Sequence, residues 1–370
     1  MLVYFEVHGF KNFEKPISMD FRNVRDYKFN EKCVKDGVVK NAIIYGKNSV
    51  GKTNFGLAVF DIVSHLTANN VTPSLYDNYL YSGNGKGPAY FKYVFQFGQS
   101  VVTYEYEKES AQKLLFEKLI IDDALFMQKD YSSELNNDFS GAKILAPTLN
   151  YSFVKEDSVL KYILNNTALE KDHPLYLMMH FVSNMLWFRS LDENRYIGYK
   201  SNSSDFYTFL LSDANALQEF QTLLHTAGVN VMLHVEKDND GTMRLYSSPE
   251  NDVSARLPFY KTASSGTKAL YTYFYWKKTS PDISMLFIDE FDAYYHFELA
   301  EVLQKELQDF HGQVITTSHN TNLLSNRIMR PDCYFILTKD KLVSFANATT
   351  RELREGHNLE KLFISGEFGE

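Results

Sequence analysis

Gly46-Lys47-Asn48-Ser49-Val50-Gly51-Lys52-Thr53, residues 46–53, decides how this chain is read. The stretch fits G-x-x-x-x-G-K-[ST], the spacing of a phosphate-binding loop. The chemistry dictates the residue types. Gly46 and Gly51 let the backbone curl until its N–H groups converge on an anion. A helix that opens at Lys52 adds the positive end of its dipole. Lys52 then reaches the β- and γ-phosphates of a nucleotide, and the Thr53 hydroxyl ligates Mg²⁺. The flanks agree with that reading. Asn41–Tyr45 is a short apolar run, and Phe55, Ala58, Val59, Ile62 and Leu66 recur at helical spacing. The order is strand, glycine loop, helix.

Three later stretches extend the pattern. Met285-Leu286-Phe287-Ile288-Asp289-Glu290 is an apolar strand that ends in two carboxylates, at the edge where ligands bind in parallel sheets. Such a run is also how an ordinary strand meets solvent, and the phosphate loop in the same chain decides between the two. Asp289 is expected in the Mg²⁺ shell and Glu290 as the base that polarises the attacking water. Gln313–Thr317 is a further apolar strand, and it delivers His319 to the same edge, where the imidazole can bond a γ-phosphate and orient water. Ala263-Ser264-Ser265-Gly266-Thr267-Lys268 opens a helix with small residues, a second anion-binding N-terminus. One chain has no use for two such sites on one ligand. The second makes physical sense if it serves the nucleotide of a neighbouring copy.

The remaining sequence bounds the class. A chain of 370 residues with 44% hydrophobic and 15% aromatic residues can bury a full core. Its net charge of −8 argues against a general basic coat for nucleic acid. Cys33 and Cys333 stand in no metal-ligand or disulfide spacing and read as buried small residues. No apolar run approaches the ~20 residues of a membrane-spanning helix, and the opening MLVYFEVHGF reads as a strand, so a cytoplasmic location is expected. Leu2–His8 pairs with Ile17–Phe21 as a hairpin, and Tyr90–Phe97 with Val101–Tyr106 as another. Ser82–Pro88 is a loop by composition. Ser158–Thr226 reads as a helical middle, in which Trp187, Phe188 and Tyr196 are either core or a docking surface. Val229–Val235 and Thr242–Tyr246 form a hairpin turning at Asn239-Asp240-Gly241. Helix and strand then alternate from Thr267 to Thr317, which implies a parallel sheet.

The order of motifs resembles the ABC-type ATPase heads of the SMC and RecF group, and most of all the short AAA-type ATP-binding proteins of bacterial defence and OLD-like systems. The resembling stretches are GKNSVGKTN (46–54), SSGTKALY (264–271), LFIDEFDAYYH (286–296), TTSHN (316–320) and HNLEKLFISGEFGE (357–370). The opening FEVHGFKNFEKPISMDF (5–21) is similar to the first strands of those heads, whereas 110–255 matches only loosely. The resemblance implies an α/β ABC-ATPase head: a mixed β subdomain, a parallel P-loop core sheet and an inserted helical subdomain. It divides the chain into an N-terminal lobe (1–110), a mainly helical insert (111–255) and a C-terminal lobe (256–370). Carried over by position, ATP is held by Asn48, Gly51, Lys52, Thr53 and Asn54, with Ser264 and Gly266 as the signature loop. Mg²⁺ falls to Thr53 and Asp289, and catalysis to Glu290 and His319.

Departures from the family pattern also stand out. The signature reads SSGT where the fuller form is SGGQ. His296 occupies the usual place of the D-loop aspartate, with Asp292 nearby, and only Gln96 and Gln99 are candidates for a Q-loop glutamine. The implied partners are further copies of the chain, as a dimer of heads or multiples, and an effector such as a nuclease or toxin in antiviral defence. The alternative is a RecF-like head that binds DNA ends in repair, for which Lys261, Lys268, Lys277 and Lys278 are the basic cluster. A GTPase-like module is disfavoured because no N-K-x-D element stands in the right region. The middle is too short for a long coiled coil, which argues against a chromosome clamp.

Overall fold

A run of apolar residues covered on both faces makes a parallel strand, and among the described residues five such strands share one sheet. The computed structural model describes residues 1–67, 69, 72–83, 87–133, 135–151, 157–190, 196–199 and 203–369. Met185–Arg189, Met285–Asp289, Gln313–Thr317, Asn41–Tyr45 and Tyr334–Leu337 lie side by side in that order, all parallel. Short antiparallel strands, Tyr196–Gly198 and Leu342–Ser344, close the two edges. Every residue of the three central strands is buried. The register sets Arg189 opposite Asp289, Ile288 opposite Thr316, and Thr317 opposite Ile44. The polar ends of the strands are thereby brought to one edge.

The second large sheet is antiparallel, in the order Ile17–Asp20, Leu2–His8, Ala89–Phe97, Ser100–Lys108, Leu114–Ile121, Ala124–Asp130. Alternation of buried and half-exposed residues along Leu2–His8 matches a sheet with one face on the core.

Between the two sheets runs the helix Lys52–Val59, in which Lys52 and the five residues Phe55–Val59 are buried. Being enclosed on both sides, it needs no polar stripe. On one side a methyl added at Gly56 would meet the Phe287 ring at 2.7 Å and Trp187 Nε1 at 2.8 Å, so only glycine lets the helix lie this close to the core sheet. On the other side Phe55 meets Phe5 edge-on, with centroids 5.6 Å apart, and Tyr93 donates its hydroxyl to the Ala58 carbonyl at 2.8 Å.

A buried polar network ties this helical segment to the antiparallel sheet. The next helix, Asp61–Leu66, places the Asp61 carboxylate against Lys108 Nζ at 2.7 Å and the Tyr79 and Tyr106 hydroxyls at 2.8 Å. His65 meets the Tyr104 hydroxyl at 2.7 Å, and Tyr104 in turn donates to Glu117 at 2.8 Å. Burial pushes the Glu117 carboxyl up despite the donors around it, and pulls the His65 imidazole well down, so that His65 is neutral.

Several sequence expectations fall where the structure puts them. Asn41–Tyr45 and Gln313–Thr317 are strands over those residues, and the hairpins at the N-terminus, at 89–108 and at 231–249 are antiparallel pairs. Cys33 and Cys333 are free and buried. Of the loop expected over Ser82–Pro88, residues 84–86 lie outside the described residues.

The interval 111–255 differs from the expectation in its make-up. It carries the helices Ser140–Leu145, Val159–Asn166, Pro174–Ser183, Ser203–Ser212 and Ala214–Thr226. It also supplies two strands to the antiparallel sheet and two to the core sheet. Across residue 110, Ser100–Lys108 and Leu114–Ile121 are hydrogen-bonded neighbours. Trp187, Phe188 and Tyr196 are buried core residues, which removes them as a docking surface.

The Asp61–Lys108 pair gives a stability test. Removing one member of a buried ion pair strands the other charge, so Lys108→Ala is expected to cost about 3–5 kcal/mol in a urea unfolding titration. An unchanged midpoint would show that the network contributes nothing to stability.

Candidate functional site

A loop that reverses between strand and helix must place residues where side chains are disfavoured. Gly51 has φ +111°, and a methyl there would lie 2.4 Å from Asn12 Nδ2. Ser49 takes φ +65° without being glycine. Asn12 braces the turn from the N-terminal hairpin: its Nδ2 donates to the Val50 carbonyl at 2.9 Å, and its Oδ1 accepts from Asn54 Nδ2 at 2.7 Å. Asn12 lies in the opening stretch that resembles the ABC-type heads, yet nothing in its local sequence marks it as a loop brace. The Lys52 ammonium is folded back onto the loop, donating to the Gly46 carbonyl at 2.8 Å and the Lys47 carbonyl at 3.3 Å. It lies 3.5 Å from His319 Nδ1.

Asp289 is the hub of the strand ends. Its Oδ2 accepts from the Thr53 hydroxyl and its Oδ1 from the Thr317 hydroxyl, each at 2.7 Å. Burial raises the Asp289 carboxyl above the usual carboxylate range, and the two hydroxyl donors oppose that rise. Glu290 follows in the left-handed region at φ +52°, and its amide donates to Thr317 Oγ1 at 2.8 Å. Asp292 is likewise raised by burial and accepts from the Ser318 hydroxyl at 2.8 Å, which links it to the residue before His319. Burial and the nearby Lys52 ammonium lower the His319 imidazole, leaving it neutral near pH 7.

These residues share one cavity of about 480 Å³, lined by Asn48, Ser49, Gly51, Lys52, Thr53, Asn54, Asp289, Glu290 and His319. The site residues expected within one chain thus converge. Ser264 and Gly266 are not in the lining. Ser264 is exposed and caps the helix Ser265–Thr279, its Oγ accepting from the Thr267 amide at 3.2 Å. Neither Gln96 nor Gln99 lines the cavity. His296 is exposed, outside the lining, at the N-terminus of the helix Phe297–Glu306. Of the expected basic cluster, Lys277 pairs with Glu306 at 2.5 Å and Lys278 pairs with Glu219.

The donor set suits a magnesium nucleotide. Thr53 and Asp289 offer oxygen ligands side by side, as a hard cation requires. The Glu290 carboxylate has one oxygen, Oε2, that is buried with no hydrogen-bond partner among the described residues. Besides Asn12, a further residue of the site carries no local signal in the sequence. Arg189, at the end of the Met185–Arg189 strand, donates from Nη2 to Glu290 Oε1 at 2.9 Å. It was hidden because the strand that carries it read as part of a helical middle.

Fold and site together define a P-loop nucleotide-binding domain of the α/β class. Residues 42–325 match the family described as "AAA domain, putative AbiEii toxin, Type IV TA system", and the protein belongs to that family. The chain is also similar to solved heads of SMC proteins. The SMC head domain from Thermotoga maritima is 13% identical, covering 93% of this chain and 98% of that one, with a TM-score of 0.45. An SMC head bound to the C-terminal winged-helix domain of ScpA is 14% identical, covering 93% and 97%, with a TM-score of 0.47. The Smc head of Pyrococcus furiosus, bound to the C-terminal domain of ScpA, is 11% identical, covering 93% and 96%, with a TM-score of 0.47. No curated protein matches the sequence. Among the described residues no helix is long and apolar enough to cross a membrane.

Two outcomes follow from this geometry. Lys52→Ala is expected to weaken ATP binding by more than about tenfold in an equilibrium titration, since the ammonium is the cation placed for the phosphates; wild-type affinity would contradict the placement. Metal-dependent nucleotide affinity is expected to fall on acidification at a pH above the ~4 of an ordinary carboxylate, because Mg²⁺ takes the deprotonated form of a raised Asp289. Affinity that holds steady down to that pH would contradict it.

Proposed function

We propose that this protein binds and hydrolyses ATP with Mg²⁺ and uses the nucleotide to clamp two heads together. The observation that supports this reading is the division of the site. Lys52, Thr53, Asp289, Glu290 and His319 meet in one cavity, while the small-residue helix start at Ser264 stays outside it and exposed. A second copy can then bring its Ser264 and Gly266 to the terminal phosphate, as the resemblance to ABC-type heads implies. Thr53 and Asp289 hold the metal, Lys52 binds the β- and γ-phosphates, His319 bonds the γ-phosphate, and Glu290 takes a proton from the attacking water. Because the γ-phosphate bridges two chains, dimer affinity depends on nucleotide state, and hydrolysis releases the clamp.

The clamp in turn controls a partner. In this reading the effector, a nuclease or toxin, is a separate chain. The family description, "putative AbiEii toxin, Type IV TA system", accords with a part in a toxin–antitoxin pair, and this reading takes that part to be antiviral defence in the cytoplasm.

The clamp is tested by mass. Glu290→Gln protein with ATP and Mg²⁺ is expected to double its mass by light scattering, and to lose that gain when Ser264 is replaced by a bulky residue. A mass that ignores nucleotide would remove the two-head mechanism.

A further inference from the structure

Arg189 and Glu290 are 101 residues apart in sequence and meet because their strands pair in parallel, with Arg189 opposite Asp289. The guanidinium stands between two carboxylates. Nη2 lies 2.9 Å from Glu290 Oε1, and Nε lies 3.7 Å from Asp289 Oδ2. Adjacent carboxylates at one sheet edge repel each other, and in this structure Arg189 offsets that repulsion: Glu290 pushes the Asp289 carboxyl further up and Arg189 opposes it.

The two oxygens of Glu290 are treated differently. Oε1 is held by Arg189, whereas Oε2 is buried with no hydrogen-bond partner among the described residues. The backbone is held as well, through the amide bonded to Thr317. A carboxylate fixed at its backbone and at one oxygen has a single oxygen left for chemistry. Arg189 does not line the nucleotide cavity, so it reaches the site through the two carboxylates that do, by a hydrogen bond to Glu290 and from 3.7 Å to Asp289.

On the basis of the hydrolytic reading above, we propose that Arg189 is a positioning residue that grips Glu290 by Oε1 so that Oε2 receives the proton of the attacking water. Oε2 takes one proton as the water oxygen bonds to the terminal phosphorus. The bond from that phosphorus to the bridging oxygen breaks, and its electron pair leaves with ADP. The proton then passes from Glu290 to solvent. A lysine at 189 keeps the charge but not the planar fork, so it supports the geometry only in part.

The test separates turnover from binding in the full-length protein. Arg189→Ala is expected to lower kcat by about 100-fold while the Kd for ATPγS stays within about twofold of wild type. Arg189→Lys recovers part of the rate. Added guanidinium ion restores activity to Arg189→Ala but not to Glu290→Gln, and the double variant is no slower than Glu290→Gln alone. Loss of fold would instead weaken ATPγS binding in step with the rate, and that outcome overturns the proposal. So does wild-type turnover by Arg189→Ala when Glu290→Gln is inactive. A Glu290→Gln protein as active as wild type overturns the hydrolytic reading itself, and this inference with it.

Discussion

The Asp289 carboxylate holds the site together. One oxygen accepts from Thr53 on the P-loop helix and the other from Thr317 on the neighbouring strand, and its own strand ends there. A fully buried carboxylate is costly unless its lone pairs are filled. Here two hydroxyls and a nearby guanidinium fill and balance it. The same arrangement fixes the relative position of the helix Lys52–Val59 and the strands Met285–Asp289 and Gln313–Thr317, so the three parts of the site cannot drift independently. Parallel register does the rest, since strand ends that lie level bring Arg189, Asp289 and Thr317 to one edge.

The P-loop helix is equally constrained from behind. It is packed between two sheets, with no room for a side chain at Gly56. The Asp61–Lys108 pair and the tyrosines around it anchor the following helix to the antiparallel sheet. A loop that must offer its amides to an anion gains from such rigidity, because the amides need no reorganisation when charge arrives. The helix Ser265–Thr279 is itself largely buried, but Ser264 at its start is exposed and does not line the cavity. The proposed two-copy mechanism builds on this contrast between the fixed P-loop side and the exposed Ser264.

Local pattern carried much of this. The glycine loop, the carboxylate-ended strand and the strand before His319 each announce themselves within a few residues, and the structure brings them to one cavity. Less was legible where chemistry depends on long-range pairing. Met185–Arg189 is a five-residue strand, and a short apolar run does not distinguish strand from helix by period. Placed between helices, it read as helical, and Arg189 was lost with it. Asn12 was lost for a similar reason, since a single asparagine in a hairpin becomes a loop brace only through contacts 38 and 42 residues away. In the middle of the chain the helices are the prominent signal, while its short strands, which join both large sheets, are not.

The composite site is most directly examined by a crystal or cryo-EM structure of Glu290→Gln protein with ATP and Mg²⁺. The account requires the terminal phosphate to lie between Lys52 of one copy and Ser264 of another. A nucleotide fully enclosed by one chain, with the Ser264 helix turned away from every bound phosphate, would contradict it.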